Sequence, residues 1–449
     1  MPLSKAFLIN ILKTNISQHK IGIVSLGCAK NLVDTEVLMR QLDANNYQLI
    51  LDPTDSDPID TAIINTCGFI LDPKKESIDT ILRFVSARKS GKISNLFVMG
   101  CLSERYKDQL KHEIPEVDEF FGVNDLKKII KRIGGRFRNN LVGERKITTP
   151  SHYSYLKIAE GCDRKCSFCA IPIIRGNHIS RPMEEIVVEA RKLVKMGVRE
   201  INIISQDTTY YGLDLYRIRR LPELLESISA IEGLEWIRLH YTYPDGFPLE
   251  LLEVIRDHDN ICKYIDIPLQ HINSGILKSM HRGIDKEGTI SLIKKIRDTI
   301  PGVAIRTSLI VGYPGETQKE FLELKNFVRE SRFDRLGIFT YSHEEDTAAF
   351  LLKDKATPGI KEKRAGELME IQQEISFELN GMKSGEQFKV IIDRIDGDYF
   401  IGRTEFDSPE IDNEVLIPVA GNLLSVGNFY NIKITSTDNF DLYGEFYPG

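Results

Sequence analysis

The chain contains no run of about 18 apolar residues, so nothing in it reads as a membrane-spanning helix. Its opening, Met1 to Lys20, has a short apolar patch at 6–12 broken by Asn10 and lacks a small-residue cleavage pattern, which argues against a secretory signal. Cysteine is sparse and odd in number. Seven thiols in 449 residues, at 28, 67, 101, 162, 166, 169 and 262, exclude the paired framework that staples small secreted domains. A reducing cytoplasm, where thiolates stay available to metal, is the expected setting. Residues 383–449 are poor in basic charge: five Lys or Arg stand against twelve Asp or Glu, a net −7, while the rest of the chain nets +1. Gripping RNA needs clustered Lys and Arg to displace counterions, so a direct RNA grip by this segment is not expected. A strongly basic protein partner is the expectation, against the blander reading of an acidic face that only aids solubility.

The length is too great for one core and predicts two or three domains; 42% hydrophobic and 28% charged residues are ordinary for a globular protein. From Lys20 the pattern alternates between short apolar runs (21–26, 62–65, 96–99) and helical periodicity (32–42, 74–88, 104–110), which predicts an α/β fold with a small doubly wound parallel sheet. Cys28, Cys67 and Cys101 are placed alike, each just after a strand, before a helix and beside a glycine. Carboxyl ends of parallel strands line a ligand crevice, so these thiols are candidates for one cluster-binding set. Singly, each would read as a buried thiol.

A basic stretch, 127–146, precedes a second series. Strands are expected at 155–159, 200–205, 236–241, 264–268, 304–311 and 336–341, separated by helices at 183–196, 222–231, 248–257, 286–299 and 317–331. Six strand–helix units predict an open, partial (β/α)6 barrel of the TIM type. A helix at about 359–380 leads to short alternating strands, a small antiparallel β-barrel. The expected division is a flexible leader (1–19), an N-terminal domain (20–136), a linker (137–152), a barrel core (153–358), a linker helix (359–382) and the terminal barrel (383–449).

The tightest signal is Gly161-Cys162-Asp163-Arg164-Lys165-Cys166-Ser167-Phe168-Cys169. Three thiols this close suit a loop wrapping one corner of a 4Fe-4S cluster, each thiolate on a different iron, with one iron left open. The alternatives are a zinc turn using His178, or thiols packed as small hydrophobes. The C-x-x-x-C-x-x-C spacing, with aromatic Phe168 before the last cysteine, resembles the radical S-adenosylmethionine (SAM) superfamily. Ser308 to Glu316 resembles that superfamily's G-x-I-x-G-x-x-G-E motif, with Ser308 replacing the first glycine. The resemblance implies SAM as a cofactor and a cluster on Cys162, Cys166 and Cys169. It makes Phe168, Gln206, Asp207, Gln270, Arg306, Gly312 and Glu316 candidate cofactor contacts, Arg306 as partner of the methionine carboxylate.

From Lys20 onward the chain resembles the methylthiotransferase family, the terminal barrel its TRAM domain. Ser25-Leu26-Gly27-Cys28-Ala29-Lys30-Asn31-Leu32-Val33-Asp34 is similar to the branch that modifies an aspartate of ribosomal protein S12, with Ala29 where that branch usually has proline. The resemblance implies a second 4Fe-4S cluster on Cys28, Cys67 and Cys101 carrying the sulfur to be delivered. It also implies small-subunit protein S12 as substrate and an electron donor such as flavodoxin or ferredoxin. The rival within the family is a transfer RNA adenosine methylthiotransferase. A rival of another class is a non-catalytic iron–sulfur protein that binds the ribosome. Cys262, with no partner set, reads as a core thiol.

Overall fold

The computed structural model describes residues 19–54, 56–141 and 143–447; the expected leader lies outside them apart from His19. The chain divides into two compact units, 1–146 and 147–449.

In the first unit, β1 (Lys20–Ser25), β2 (Gln48–Leu51), β3 (Thr61–Thr66), β4 (Asn95–Gly100) and β5 (Glu119–Phe120) form one parallel sheet in the order β2-β1-β3-β4-β5. Successive side chains alternate between two helix-covered faces. Val24, Ala62, Ile64, Leu96 and Val98 face a core with Ile81, Phe84 and Val85. Ile21, Ile23, Ile63, Phe97 and Met99 pack on Leu38, Met39, Leu42, Ile129 and Ile130. This is a doubly wound sheet. Ile129 and Ile130 belong to a helix, Leu126–Arg132, at the head of the basic stretch; its lysines face outward while its two isoleucines close the core. Residues 138–141 and 143–146 then pack back onto the helix Ala29–Asp43: Arg145 binds Glu36 at 2.8 Å with both side chains buried, and Arg40 binds Glu144 at 2.9 Å.

The second unit begins with β6 (Tyr153–Lys157), followed by the two-stranded pair β7 (Ala159–Glu160) and β8 (Ile179–Ser180). Then come β9 (Glu200–Ile204), β10 (Trp236–Leu239), β11 (Ile261–Asp266), β12 (Ala304–Val311) and β13 (Arg335–Thr340). Six of these make a parallel sheet ordered β13-β12-β11-β10-β9-β6, an open (β/α)6 barrel with β6 and β13 at its edges. Helices Met183–Lys195, Leu221–Ser229, Glu250–Asp257, Lys286–Thr299 and Gln318–Ser331 connect the strands and bury their apolar stripes against the sheet.

A long helix, Pro358–Gly381, opens on Thr357, whose hydroxyl accepts from the Ile360 amide. It leads to β14 (Gln387–Asp396), β15 (Tyr399–Arg403), β16 (Val415–Pro418), β17 (Phe429–Thr437) and β18 (Leu442–Phe446), a closed barrel ordered β14-β15-β16-β18-β17. Its core is Val390, Ile392, Phe400, Val415, Ile417, Ile432, Ile434 and Leu442. Among the described residues no helix is long and apolar enough to cross a membrane.

Candidate functional site

The three-cysteine loop leaves β7 at the carboxyl end of the barrel's first strand and is fastened from several sides. Cys162 donates its amide to Gly176 O at 3.1 Å and Cys169 donates to Cys166 O at 3.1 Å, a tight local turn. Ser167 donates its amide to Met280 O (3.0 Å) and accepts from the Ala349 amide (2.7 Å), while its hydroxyl meets Tyr313 at 2.8 Å. Phe168 packs with Ile276, Met280, Tyr313, Tyr341 and Ala349. Arg164 donates to Asp207 (2.8 Å) and Asp245 (2.9 Å). Burial pushes the Cys162 and Cys169 thiols up to about 12, so they keep their protons until a cation compensates the charge of the thiolate.

His178 does not complete a zinc site: its Nε2 lies 3.1 Å from Ser180 Oγ and 4.0 Å from Asp214. Among the described residues, no group of three or more His, Cys, Asp or Glu side chains is placed to hold a metal ion. A cubane is less demanding of convergence, since it spreads its thiolates over separate irons. Cys262 is buried with Trp236, Tyr264, Ala304 and Ile391, a core thiol held up to about 12 by desolvation.

At the barrel mouth, Ser205 Oγ and Gln206 Oε1 are buried without a hydrogen-bond partner, and Gln206 Nε2 donates to Glu160 at 3.2 Å. Glu160 is desolvated, but Lys157 and Arg175 outweigh that and hold its carboxyl down at about 2. Gln270 sits at φ 74°, in the left-handed region, where its amide donates to Ser308 O and its carbonyl accepts from Ile310, both at 2.8 Å. Glu316 turns inward. It accepts from the Gly312 amide at 2.9 Å and from Arg364 at 2.6 Å, with His271 Nε2 at 3.6 Å. Gly312 has φ 75°, and a Cβ there would collide with the Lys361 side chain. Lys361 and Arg364 belong to the helix expected only as a connector.

Two expected contacts are placed otherwise. Asp207 is spent on Arg164 and on the Thr209 hydroxyl (2.6 Å), which makes it a fastener of the cysteine loop. Arg306 lies near the amino end of β12, ~16 Å along the strand from its mouth at about 3.3 Å per residue. It donates to Asp266 (3.1 Å) and Asp412 (3.3 Å). Two carboxylates already neutralise it, so the structure withdraws Arg306 from the methionine carboxylate.

In the first unit, Cys28, Cys67 and Cys101 end three adjacent strands. Register pairs Ser25 with Asn65 and Thr66 with Gly100, so the chain passes directly into Cys67 and Cys101 side by side. Gly27 (φ 90°) lets the first loop close in, since a Cβ there would stand 2.7 Å from Cys67 Cβ. Asn31 ties the three loops together. Its amide donates to Leu26 O (2.9 Å) and Thr66 O (3.1 Å), and its Oδ1 faces Cys101 Sγ at 3.6 Å.

Residues 20–122 match a family described as uncharacterized protein family UPF0004, residues 156–328 the radical SAM superfamily and residues 385–446 the TRAM domain. The protein named ribosomal protein uS12 methylthiotransferase RimO from Flavobacterium johnsoniae is 53% identical over 431 residues, covering 96% of this chain and 99% of that one. Its namesake from Bacteroides thetaiotaomicron is 54% identical over 431 residues, with the same coverage. The chain belongs to the RimO family. Solved structures of the radical SAM methyltransferase TsrM from Kitasatospora setae share the fold at 12% identity and a TM-score of 0.54, over 85% of this chain and 79% of that one.

Within this RimO-family chain the acidic terminal barrel has a use the sequence did not reveal. Five of its twelve acids bind residues of the second unit that precede the terminal barrel. Asp393 binds His152, Asp407 binds Arg335, Glu410 accepts from Tyr153, Asp412 meets Arg306 and Tyr264, and Glu405 accepts from the Lys263 amide. The charge surplus facing outward is correspondingly smaller. Sequence reasoning also missed Lys361, Arg364, Tyr243 and Arg282. Arg282 carries no spacing signal of its own.

Proposed function

We propose that this chain is a radical SAM enzyme that places a methylthio group on the β-carbon of an aspartate in ribosomal protein uS12. Relatives bearing that name support the substrate, and two cysteine triads support the chemistry, each on loops at the carboxyl ends of parallel strands. The single observation that carries the reading is the fastened loop Cys162–Cys169 beside a mouth holding orphaned buried groups, Ser205 Oγ and Gln206 Oε1. Such groups await a polar ligand.

Cys162, Cys166 and Cys169 fit a cluster-binding set: three thiols on one short loop, held by backbone bonds at 162, 167 and 169. A 4Fe-4S cluster with SAM there supplies reductive carbon–sulfur cleavage and a radical able to take hydrogen from an unactivated carbon. Phe168 shields the loop, Gln206 and Gln270 offer amides at the mouth, and Gly312 with Glu316 forms the backbone cradle for the nucleoside. Cys28, Cys67 and Cys101 hold the second cluster, the site of sulfur delivery. An electron donor of flavodoxin or ferredoxin type and a cytoplasmic setting belong to the same proposal. The remaining outward acids of the terminal barrel favour a basic protein over transfer RNA.

The test is anaerobic incubation of reconstituted chain and SAM with uS12 or with transfer RNA, weighing each product. Gain of one methylthio group on uS12 is the expected result; gain on transfer RNA alone, or 5′-deoxyadenosine with neither product, refutes the substrate.

A further inference from the structure

Arg282 is only 3% exposed, yet no carboxylate pairs with it among the described residues. Nη2 donates to Pro268 O, Nε has no hydrogen-bond partner, and Nη1 points at Cys166 Sγ at 3.3 Å. A buried cation is costly unless an anion answers it. Arg164, the nearest comparable residue, is paired with both Asp207 and Asp245. Tyr243 lies between the two arginines in the chain's ion scheme: its ring centroid is 4.0 Å from the Arg164 guanidinium and 4.1 Å from that of Arg282. Its hydroxyl is 3.3 Å from Cys166 Sγ and 3.2 Å from Arg282 O. One sulfur of the triad thus faces a charged donor and a hydroxyl whose single proton is placed between it and Arg282 O. Cys162 and Cys169 have no comparable side-chain donor.

We propose that Arg282 is the buried counter-charge of the three-cysteine loop, and that with the Tyr243 hydroxyl it binds the Cys166 sulfur and raises the reduction potential of the cluster carried there. This rests on the reading of the loop as a cluster site. Reduction adds negative charge, so a nearby cation and hydrogen bonds to a ligating sulfur favour the reduced form. Arg282 and Tyr243 are positioning residues in this scheme; they act through Cys166.

The experiment is an EPR-monitored redox titration of the full, anaerobically reconstituted chain, following the signal that changes on adding SAM, in wild type, Arg282→Gln, Arg282→Lys and Tyr243→Phe. At the poise that half-reduces wild type, the reduced-to-oxidised ratio falls about tenfold in Arg282→Gln, equivalent to 59 mV for a one-electron couple. Arg282→Lys, which keeps the charge, falls markedly less, and Tyr243→Phe falls about threefold. Should Arg282→Gln fail to retain iron, the other two variants carry the test by the same criterion. Variants titrating with wild type, or Arg282→Lys falling as far as Arg282→Gln, overturn the proposal. A wild-type chain with no SAM-responsive signal overturns the functional reading instead, so the two failures are distinguishable.

Discussion

Replacing Asn31 with alanine tests whether the first unit's three loops form one site. The side chain is fully buried and donates to two carbonyls on different loops, Leu26 O and Thr66 O, while its Oδ1 faces the third loop at Cys101. Alanine leaves two carbonyls without these donors, at about 1–3 kcal/mol each, a loss of roughly 2–6 kcal/mol in local stability. Against the typical 5–15 kcal/mol of a domain, that loosens the crevice and can leave the sheet folded. Hydrogen exchange over residues 20–146 should show faster opening at 26–31, 66–67 and 101. Iron per chain should fall by about half, 5′-deoxyadenosine formation should persist, and methylthio product should fall at least tenfold. Full iron content with undiminished methylthio transfer in Asn31→Ala would refute the claim that these three loops share one cluster.

Glu200 is fully buried between Arg238 (3.0 Å) and Arg403 (2.7 Å), joining β9 to the terminal barrel. Glu200→Gln leaves two buried guanidinia short of charge and should cost about 3–5 kcal/mol, read as easier proteolytic release of residues 383–449. Asp393 and Asp266 are desolvated, yet Arg403 with His152 and His240 with Arg306 hold them at about 2, below an ordinary 3.8. Because these pKa values are depressed in the folded chain, their stabilisation is complete above pH 4 and lost as pH falls toward 2, roughly 2 kcal/mol each. Thermal melts from pH 6 to 2 should show that loss, and Asp393→Asn should flatten part of it. Gly312→Ala places a β-carbon at positive φ against Lys361 and should raise KM for SAM at least tenfold with iron content unchanged.

The cysteine spacing made the barrel loop legible because three thiols on one loop leave their spacing in the sequence. The parallel barrel was legible for a similar reason: β9, β10 and β12 are apolar runs followed by amphipathic helices at regular distance. The first-unit triad was legible only as a repeated placement, since its convergence depends on sheet order, which β1, β3 and β4 do not encode locally. Arg306 is engaged elsewhere because a charge on a barrel strand has the same local pattern whether it faces the mouth or the terminal barrel, and the pairing of Asp207 depends on Arg164, more than forty residues away. Arg282 escaped notice because its partner, Cys166, is more than a hundred residues away. The helix Leu126–Arg132 was masked by its own lysines, two buried isoleucines being too few to declare a periodicity.

The division of labour between the triads is tested most directly by assaying 5′-deoxyadenosine and methylthio-uS12 together in two full-length variants, one with Cys28, Cys67 and Cys101 changed to alanine and one with Cys162, Cys166 and Cys169 changed. The first should form 5′-deoxyadenosine and no methylthio product, and the second should form neither. Methylthio product from the first variant, or 5′-deoxyadenosine from the second, would contradict the account.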